Sequence, residues 1–231
     1  MSEAAEAGKR AAGEAAVALV QQDMRLGLGT GSTVRYVLEA LGRRVREEGL
    51  RVVGIATSQA TEARAGELGI PIGSFAEIAA LDLAIDGADE VERRTLALIK
   101  GGGGALLREK IVAQQSRRFV VVADASKIVA ALGEHMALPV EVIRFGHEAT
   151  ARQLASLGGA PVLRQRAGAP FVTDNGNFIY DCAGFAPIHD PRSLQARLVG
   201  IAGVAESGLF CDMAEQAIIG QSDGSVAVLR P

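Results

Sequence analysis

Apolar and polar positions alternate between a helical and a strand period along the first half of the chain. Helical stretches carry apolar residues three or four positions apart, whereas the strand stretches are short apolar runs such as Val52–Ala56. The pattern predicts four helices, at Ala11–Gln22, Val34–Arg46, Gln59–Leu68 and Ala105–Ala113. It predicts five strands, at Arg25–Leu28, Val52–Ala56, Leu81–Ile85, Leu96–Ile99 and Phe119–Ala123. Such alternation is typical of βαβ units, so we expect an α/β fold with a parallel sheet.

The rhythm changes near Leu138–Val142, where a smaller α+β unit begins. Asn175-Gly176 lies between the apolar runs Phe171–Thr173 and Phe178–Tyr180, which is a strong hairpin signal. Two helices are predicted in this unit, at Glu148–Leu157 and Pro191–Leu198. We expect the tail to return to the first sheet through strands at Val204–Glu206, Ala217–Ile219 and Val226–Leu229.

Composition excludes several classes of function. The net charge is −3, tryptophan is absent, and no run of basic residues interleaved with aromatics occurs, so nucleic acid is not an expected partner. No run of 18 apolar residues occurs, so we expect no membrane span, and the N-terminus lacks the apolar core of a signal peptide. The two cysteines, Cys182 and Cys211, are far apart, which favours a reduced, cytoplasmic setting.

A run of four glycines, Gly101–Gly104, follows Lys100 at the end of a predicted strand and precedes a predicted helix that carries Glu109. Glycine lets the backbone approach a ligand closely and adopt unusual φ values. A cation and a carboxylate around such a loop could hold an anionic ligand and move a proton. Ordinary loop flexibility is the alternative explanation.

The segment Gly29–Thr33 lies between a predicted strand and a predicted helix, but it matches neither a dinucleotide-binding nor a P-loop motif. Its backbone N–H groups, its hydroxyls and the helix N-terminus suit a phosphate or carboxylate. A simple capped turn is the alternative, because Ser and Thr are favoured N-caps. Lys127, after the strand Phe119–Ala123, could also reach an anion, although most such lysines are merely solvated.

Three carboxylates follow another strand, in Asp86-Gly87-Ala88-Asp89-Glu90. An exposed acidic turn is the simplest interpretation. Two carboxylates on one side of a ligand could instead handle the hydroxyl protons of a sugar. A divalent metal is less favoured, because the three histidines lack ligand spacing relative to this segment. These loops follow predicted parallel strands, whose carboxyl ends form the usual ligand site of such a sheet.

Taken in order, these segments resemble the ribose-5-phosphate isomerases of the A type. The resemblance covers nearly the whole chain and rests on an ordered set of short motifs. They are Gly-Leu-Gly-Thr-Gly-Ser-Thr (27–33), Ala-Thr-Ser (56–58), Asp-Gly-Ala-Asp-Glu (86–90), Lys-Gly-Gly-Gly-Gly-Ala-Leu (100–106), Arg-Glu-Lys (108–110), Ala-Asp-Ala-Ser-Lys (123–127), Leu-Pro-Val-Glu-Val (138–142), Thr-Asp-Asn-Gly-Asn (173–177) and Gly-Leu-Phe (208–210).

The resemblance implies a Rossmann-like parallel-sheet domain, formed by residues 1–130 and 203–231, and a smaller ferredoxin-like α+β domain at residues 131–202. It also implies a homodimer or homotetramer that interconverts ribose 5-phosphate and ribulose 5-phosphate through an enediolate, with no metal and no other cofactor. The implied catalytic residues are Glu109 as the base, Lys100 as the stabiliser of the oxyanion, and Asp86 and Asp89 as ligands of the sugar hydroxyls. The implied substrate-binding residues are Lys9, Thr30, Gly31, Ser32, Thr33, Asp86, Gly87, Ala88, Asp89, Lys100, Gly101, Gly102, Gly103 and Lys127.

Two other classes of protein share parts of this inventory. An amino-sugar phosphate isomerase/deaminase or a lactonase would have similar anion loops but other catalytic residues. A non-enzymatic sensor of sugar phosphates would need a DNA-binding or partner module, and about 10 residues before the first predicted helix leave no room for one at the front.

Overall fold

The computed structural model describes residues 3–231, so residues 1 and 2, which begin the larger of the two expected domains, lie outside it. Six α-helices are present in this range: α1 Glu3–Val17, α2 Val34–Glu47, α3 Gln59–Glu67, α4 Leu106–Gln114, α5 His147–Ser156 and α6 Pro191–Val199. Within it, no helix has the length and apolar character needed to cross a membrane.

The strands are mostly short and fall into three sheets and one hairpin. In chain order they are β1 Arg25–Leu28, β2 Val53–Ala56, β3 Leu83–Gly87, β4 Glu90–Glu92, β5 Leu98–Ile99, β6 Phe119–Asp124, β7 Ile128–Val129, β8 Leu138–Val142, β9 Pro161–Leu163, β10 Gln165–Arg166, β11 Ala169–Pro170, β12 Phe178–Cys182, β13 Val204–Ser207, β14 Leu209–Phe210, β15 Gln216–Gly220 and β16 Val226–Leu229.

A six-stranded sheet in the order β16-β15-β6-β3-β1-β2 forms the centre of the larger unit. Its strands run parallel except β16, which pairs antiparallel with β15 at one edge. Alternate residues of β6 enter different cores: Val120 and Val122 pack with α1 and α2, whereas Val121 packs on the opposite face. Both faces are therefore covered, which explains why these strands are continuous apolar runs. The predicted parallel sheet is confirmed.

The smaller unit is an antiparallel sheet in the order β13-β8-β12-β9, with α5 and α6 packed on one face. Its elements follow one another as β8-α5-β9-β12-α6-β13, with the hairpin β10–β11 inserted after β9. This order and this sheet arrangement are those of a ferredoxin-like unit. The predicted fold class is confirmed in both parts.

The prediction for Leu96–Ile99 was wrong. Only Leu98–Ile99 forms a strand, and it pairs antiparallel with β4 and β14 in a separate small sheet, β14-β5-β4-β7. Leu96 has a φ of +55°, so the chain turns tightly there rather than entering the parallel sheet. The glycine loop is therefore supplied from beside the large sheet, not from the end of one of its strands.

Three other predicted elements also differ. The first helix begins earlier than predicted, in the alanine-rich stretch, and ends at Val17. Two short-range hydrogen bonds, Leu19 N to Ala16 O and Val20 N to Val17 O, form a turn there. Phe171–Thr173 is not a strand, and β12 pairs with β8 and β9 instead. Of the tail strands, β13 joins the smaller sheet by pairing with β8, and only β15 and β16 return to the large one.

Candidate active site

Lys100 is the centre of a buried cluster of charges. Its Nζ lies 3.2 Å from Asp86 Oδ2 and 3.3 Å from Glu109 Oε1, and it donates a short hydrogen bond to the Gly87 carbonyl. The three side chains come from the residue after β5, the end of β3 and the first turn of α4. Lys100, Asp86 and Glu109 are 2%, 3% and 5% exposed. One cation thus faces two carboxyl groups with little water around them.

Asp86 is fixed by the turn that follows β1. Its Oδ1 accepts hydrogen bonds from the amides of Thr30, at 3.0 Å, and Gly87, at 2.7 Å. A Cβ on Gly29 would lie 2.0 Å from Asp86 Oδ1, so glycine is required for this close approach. The carboxylate is therefore oriented before any ligand arrives.

Glu109 differs from Asp86 in that only one of its carboxyl oxygens has a partner among the described residues. Oε1 faces Lys100, whereas the buried Oε2 has no hydrogen-bond partner within the described part of the chain. Burial raises the pKa of Glu109 to about 8; the neighbouring Asp86 adds to the rise and Lys100 opposes it. A carboxyl group with such a pKa can accept and return a proton near neutral pH.

The other two members of the cluster are perturbed for related reasons. Burial raises the pKa of Asp86, although Lys100 and the two backbone amides oppose the shift. Burial alone would lower the pKa of Lys100, but the carboxylates of Asp86 and Glu109 outweigh it, and the pKa is raised. Lys100 therefore stays protonated as the one cation of the cluster.

The three carboxylates of residues 86–90 lie in different environments. Asp89 is half-buried, and its Oδ2 accepts from the Gly102 amide at 2.8 Å. A Cβ on Gly102 would lie 2.7 Å from Asp89 Oδ1, so a larger residue at this position would displace the Asp89 carboxylate. Glu90 points away from the site and is fully buried, where it accepts from the amides of Gly133, His135 and Met136. It ties down a loop and takes no part in the cluster.

A cavity opens above the charge cluster, and most of the expected site residues line it. They are Thr30, Gly31, Ser32, Thr33, Gly87, Ala88, Asp89, Lys100, Gly101, Gly103, Glu109 and Lys127. Asp86 lies beneath this wall, buried against Lys100. Gly31 and Ser32 are exposed, and α2 begins immediately after Thr33, whose side chain makes no capping bond to the helix. The N-terminus of α2 thus presents amides and hydroxyls to the cavity.

Two expected ligands are engaged elsewhere. Thr30 gives its amide to Asp86, and its hydroxyl joins a group of hydroxyls formed by Thr57, Ser58 and Thr61, at 2.7, 2.8 and 3.2 Å. Lys9 is on α1, where its Nζ donates to Glu6 at 3.0 Å, and the described lining residues do not include it.

Sequence reasoning missed two contributors to this region. Thr61, in the first turn of α3, donates to the Gly29 carbonyl at 2.8 Å and so supports the turn that holds Asp86. Arg164, from the smaller unit, donates to the carbonyls of Gly101 and Gly102. An isolated arginine 60 positions beyond the glycine loop carries no local signal. Only Thr61 had one, as the third residue after Ser58 at a helix start.

Metal ligands are not grouped here. Across the described part of the chain, histidine, cysteine and carboxylate side chains do not gather in sets of three or more that could hold a metal ion. The cation at the centre of the site is the ammonium group of Lys100, and Asp86 and Glu109 both face it.

Comparisons with known proteins give the same family in sequence and in structure. The family model for ribose 5-phosphate isomerase A (phosphoriboisomerase A) matches residues 53–224. Ribose-5-phosphate isomerase A of Gloeobacter violaceus is 52% identical over 223 residues, or 96% of each chain, and that of Gluconobacter oxydans is 50% identical over 94% of each.

Solved structures extend this likeness to the whole fold. Ribose 5-phosphate isomerase A from Methanocaldococcus jannaschii superposes with a TM-score of 0.91 at 42% identity, covering 96% of this chain and 98% of that one. A D-ribose-5-phosphate isomerase in complex with phospho-erythronic acid superposes with a TM-score of 0.92 at 38% identity, covering 96% and 97%. The chain belongs to the ribose 5-phosphate isomerase A family.

Proposed function

We propose that this protein interconverts D-ribose 5-phosphate and D-ribulose 5-phosphate, in the non-oxidative part of the pentose phosphate pathway. The observation that carries the proposal is the unpartnered Oε2 of Glu109, buried beside Lys100 at the wall of the cavity. Two kinds of relative support it. Proteins named ribose-5-phosphate isomerase A are 50% and 52% identical to this chain, and a structurally similar D-ribose-5-phosphate isomerase is bound to phospho-erythronic acid. That ligand carries an acid at one end and a phosphate at the other, as an enediolate intermediate would carry negative oxygens and a phosphate.

In this proposal Glu109 removes the proton from C2 of the open-chain aldose and returns it to C1. Lys100 faces the oxygens of C1 and C2, where negative charge develops, and an already oriented cation in a dry site stabilises that charge strongly. Asp86 and Asp89 bind sugar hydroxyls and assist ring opening and the transfer of a proton between O1 and O2. Every group except the substrate is in place before binding, because Asp86 and Asp89 are held by backbone amides.

The phosphate is assigned to the open end of the cavity. Gly31, Ser32 and Thr33 offer amides and hydroxyls at the start of α2, where the helix dipole favours an anion. Lys127 lines the same cavity and supplies a positive charge. Gly87, Ala88, Gly101 and Gly103 complete the wall around the sugar, and Lys9, Thr30 and Gly102 stay predicted ligands.

The assay that tests this function follows ribulose 5-phosphate formation from ribose 5-phosphate in the presence of EDTA. We expect turnover in the wild type that chelation does not reduce, because Lys100 supplies the stabilising cation. A wild type that binds the sugar phosphate without converting it would contradict the proposal and favour a sensor. Loss of activity that added metal restores would contradict the assigned role of Lys100.

We further propose a cytoplasmic homodimer or homotetramer in which residues 1–130 and 203–231 form the catalytic domain and residues 131–202 the smaller one. Within the second of these ranges, β13 pairs with β8 and so belongs to the sheet of the smaller domain. In the smaller unit, Phe145 is 94% exposed and Val162 is 66% exposed, and we propose these two side chains as contacts with a second chain. Light scattering after size-exclusion chromatography measures the mass directly. The mass of a single chain would contradict the assembly.

A further inference from the structure

The glycine loop next to Lys100 is gripped from the smaller unit by one arginine. Arg164 lies between β9 and β10, and its Nη1 donates to the carbonyl oxygens of Gly101, at 2.7 Å, and Gly102, at 3.3 Å. Arg164 lies 63 and 62 positions from these two glycines in the sequence. Among the described residues, its side chain hydrogen-bonds to the cavity region through these two carbonyls.

Arg164 is itself locked in place. Asp181 of β12 accepts from its Nε at 3.0 Å and from its Nη2 at 2.5 Å, and the arginine side chain is only 14% exposed. Two parallel bonds to one carboxylate fix the plane of a guanidinium group. The remaining nitrogen, Nη1, therefore points at the loop with little freedom.

Arg164 hydrogen-bonds to the same peptide group that orients Asp89. The carbonyl of Gly101 and the N–H of Gly102 belong to one peptide plane, so Arg164 holds one edge of that plane while Asp89 Oδ2 accepts from the other at 2.8 Å. The same peptide begins one residue after Lys100. A rotation of this plane would turn the N–H away from Asp89 and shift the chain that carries the ammonium group.

The smaller unit also holds the helix that follows the loop. Lys110 Nζ donates to the Ser207 carbonyl and lies 2.8 Å from Glu206 Oε1, and Arg108 donates to Asn175 Oδ1 at 2.8 Å. Charged contacts from this unit thus fall on both sides of Glu109. These contacts hold α4, whereas the hydrogen bonds from Arg164 hold the glycine loop itself.

We propose that Arg164, locked by Asp181, is a positioning residue: it sets the peptide of Gly101 and Gly102, and through it Asp89 and Lys100, in the geometry that turnover needs. This proposal rests on the proposed isomerase function for its kinetic consequence, but its structural consequence is independent of it. It also gives the smaller unit a part in catalysis without a contact to the reacting atoms.

The test compares Arg164→Met, Arg164→Lys and Asp181→Asn with a matched control, Glu215→Gln. Glu215 accepts two bonds from Arg118, a pair of the same type, at the opposite ends of β6 and β15 from the cavity. Two quantities are measured in each folded protein: the steady-state kcat and KM for ribose 5-phosphate, and hydrogen exchange of the amides of Gly101–Gly104.

We expect Arg164→Met to lower kcat by about 10- to 100-fold with a smaller change in KM, since small misplacements of catalytic groups have effects of this size. Exchange in the loop should rise at least tenfold. Arg164→Lys, which can still donate to one carbonyl, should recover part of kcat, Asp181→Asn should fall between, and Glu215→Gln should match the wild type in both quantities.

The outcomes separate the two claims. Unchanged loop exchange in Arg164→Met would overturn the positioning role whatever the activity, and so would a kcat per folded molecule within twofold of the wild type. Faster loop exchange in a protein whose wild type does not isomerise ribose 5-phosphate would overturn the proposed function while the grip on the loop stands.

Discussion

The charge cluster around Lys100 and the anion loop at Gly31–Thr33 line one cavity but are built in opposite ways. The cluster is almost dry, and each of its carboxyl groups is held by an amide or by the lysine. The loop is open to solvent at Gly31 and Ser32 and offers backbone amides at a helix start. Removing charges from water costs free energy. Burial is therefore expected where catalysis needs a shifted pKa and a fixed cation, as in this cluster. An anion that must enter and leave is better bound by hydrated groups.

The largest effect is expected from the base. Glu109→Gln keeps the shape of the side chain but cannot accept a proton, so turnover should fall by about 10²- to 10⁴-fold while substrate binding is retained. Steady-state kinetics and circular dichroism measure this, with Glu215→Gln as the control at a distant ion pair. A folded Glu109→Gln protein with wild-type kcat would remove Glu109 from the mechanism.

Lys100→Met should affect both turnover and stability. Loss of the oxyanion stabiliser should lower kcat by about 10²- to 10³-fold. Asp86 and Glu109 would then face each other without a cation, and breaking a buried ion pair in this way typically costs about 3–5 kcal/mol. Urea denaturation at pH 7.5 gives the change in the free energy of unfolding. A variant as stable as the wild type would show that the cluster is not strained by its like charges.

Stability should depend on pH through Glu109. Folding raises the pKa of this carboxyl from 4.5 to about 8, so between these values the folded protein binds more protons than the unfolded chain. The contribution of Glu109 to the free energy of unfolding is therefore greatest below pH 4.5 and is lost as the pH rises to about 8. Glu109→Gln should gain stability relative to the wild type across this range. A difference between the two proteins that stays constant with pH would contradict the raised pKa.

The smallest effect is expected at the open end. Ser32→Ala removes one hydroxyl from an exposed loop, so KM should rise by about three- to tenfold, the effect of losing one typical hydrogen bond, with kcat nearly unchanged. Ser225→Ala, on the β15–β16 turn, is the control. A fall in kcat larger than the rise in KM would show that Ser32 acts in the chemical step instead.

Local sequence signals were sufficient for much of this site. Apolar runs followed by Gly29–Thr33 and by Asp86–Asp89 placed both segments at strand ends, and the structure brings them to one cavity. Glu109 was found because it follows a glycine loop at short range. These features depend on neighbours in the chain, which periodicity and turn chemistry describe.

The rest depends on contacts between distant segments. A two-residue strand at Leu98–Ile99 has the same apolar character as a parallel strand, so the pattern could not tell which sheet it joins. Glu90 resembles Asp86 and Asp89 in sequence, but the strand period turns it toward the amides of Gly133 and Met136. Arg164 reaches the glycine loop only because the smaller unit packs there.

The pH dependence of kcat/KM for ribose 5-phosphate tests the central claim, a buried base beside a fixed cation, most directly. With Glu109 facing Asp86, Lys100 and Asp89, its pKa near 8 predicts that kcat/KM rises about tenfold per pH unit below that value and then levels off. The substrate phosphate titrates at about pH 6, so the slope is read between pH 6.5 and 8, where the phosphate is mostly a dianion. A profile already level from pH 6.5 upward would contradict the account, because Glu109 would then carry the pKa of an ordinary exposed glutamate.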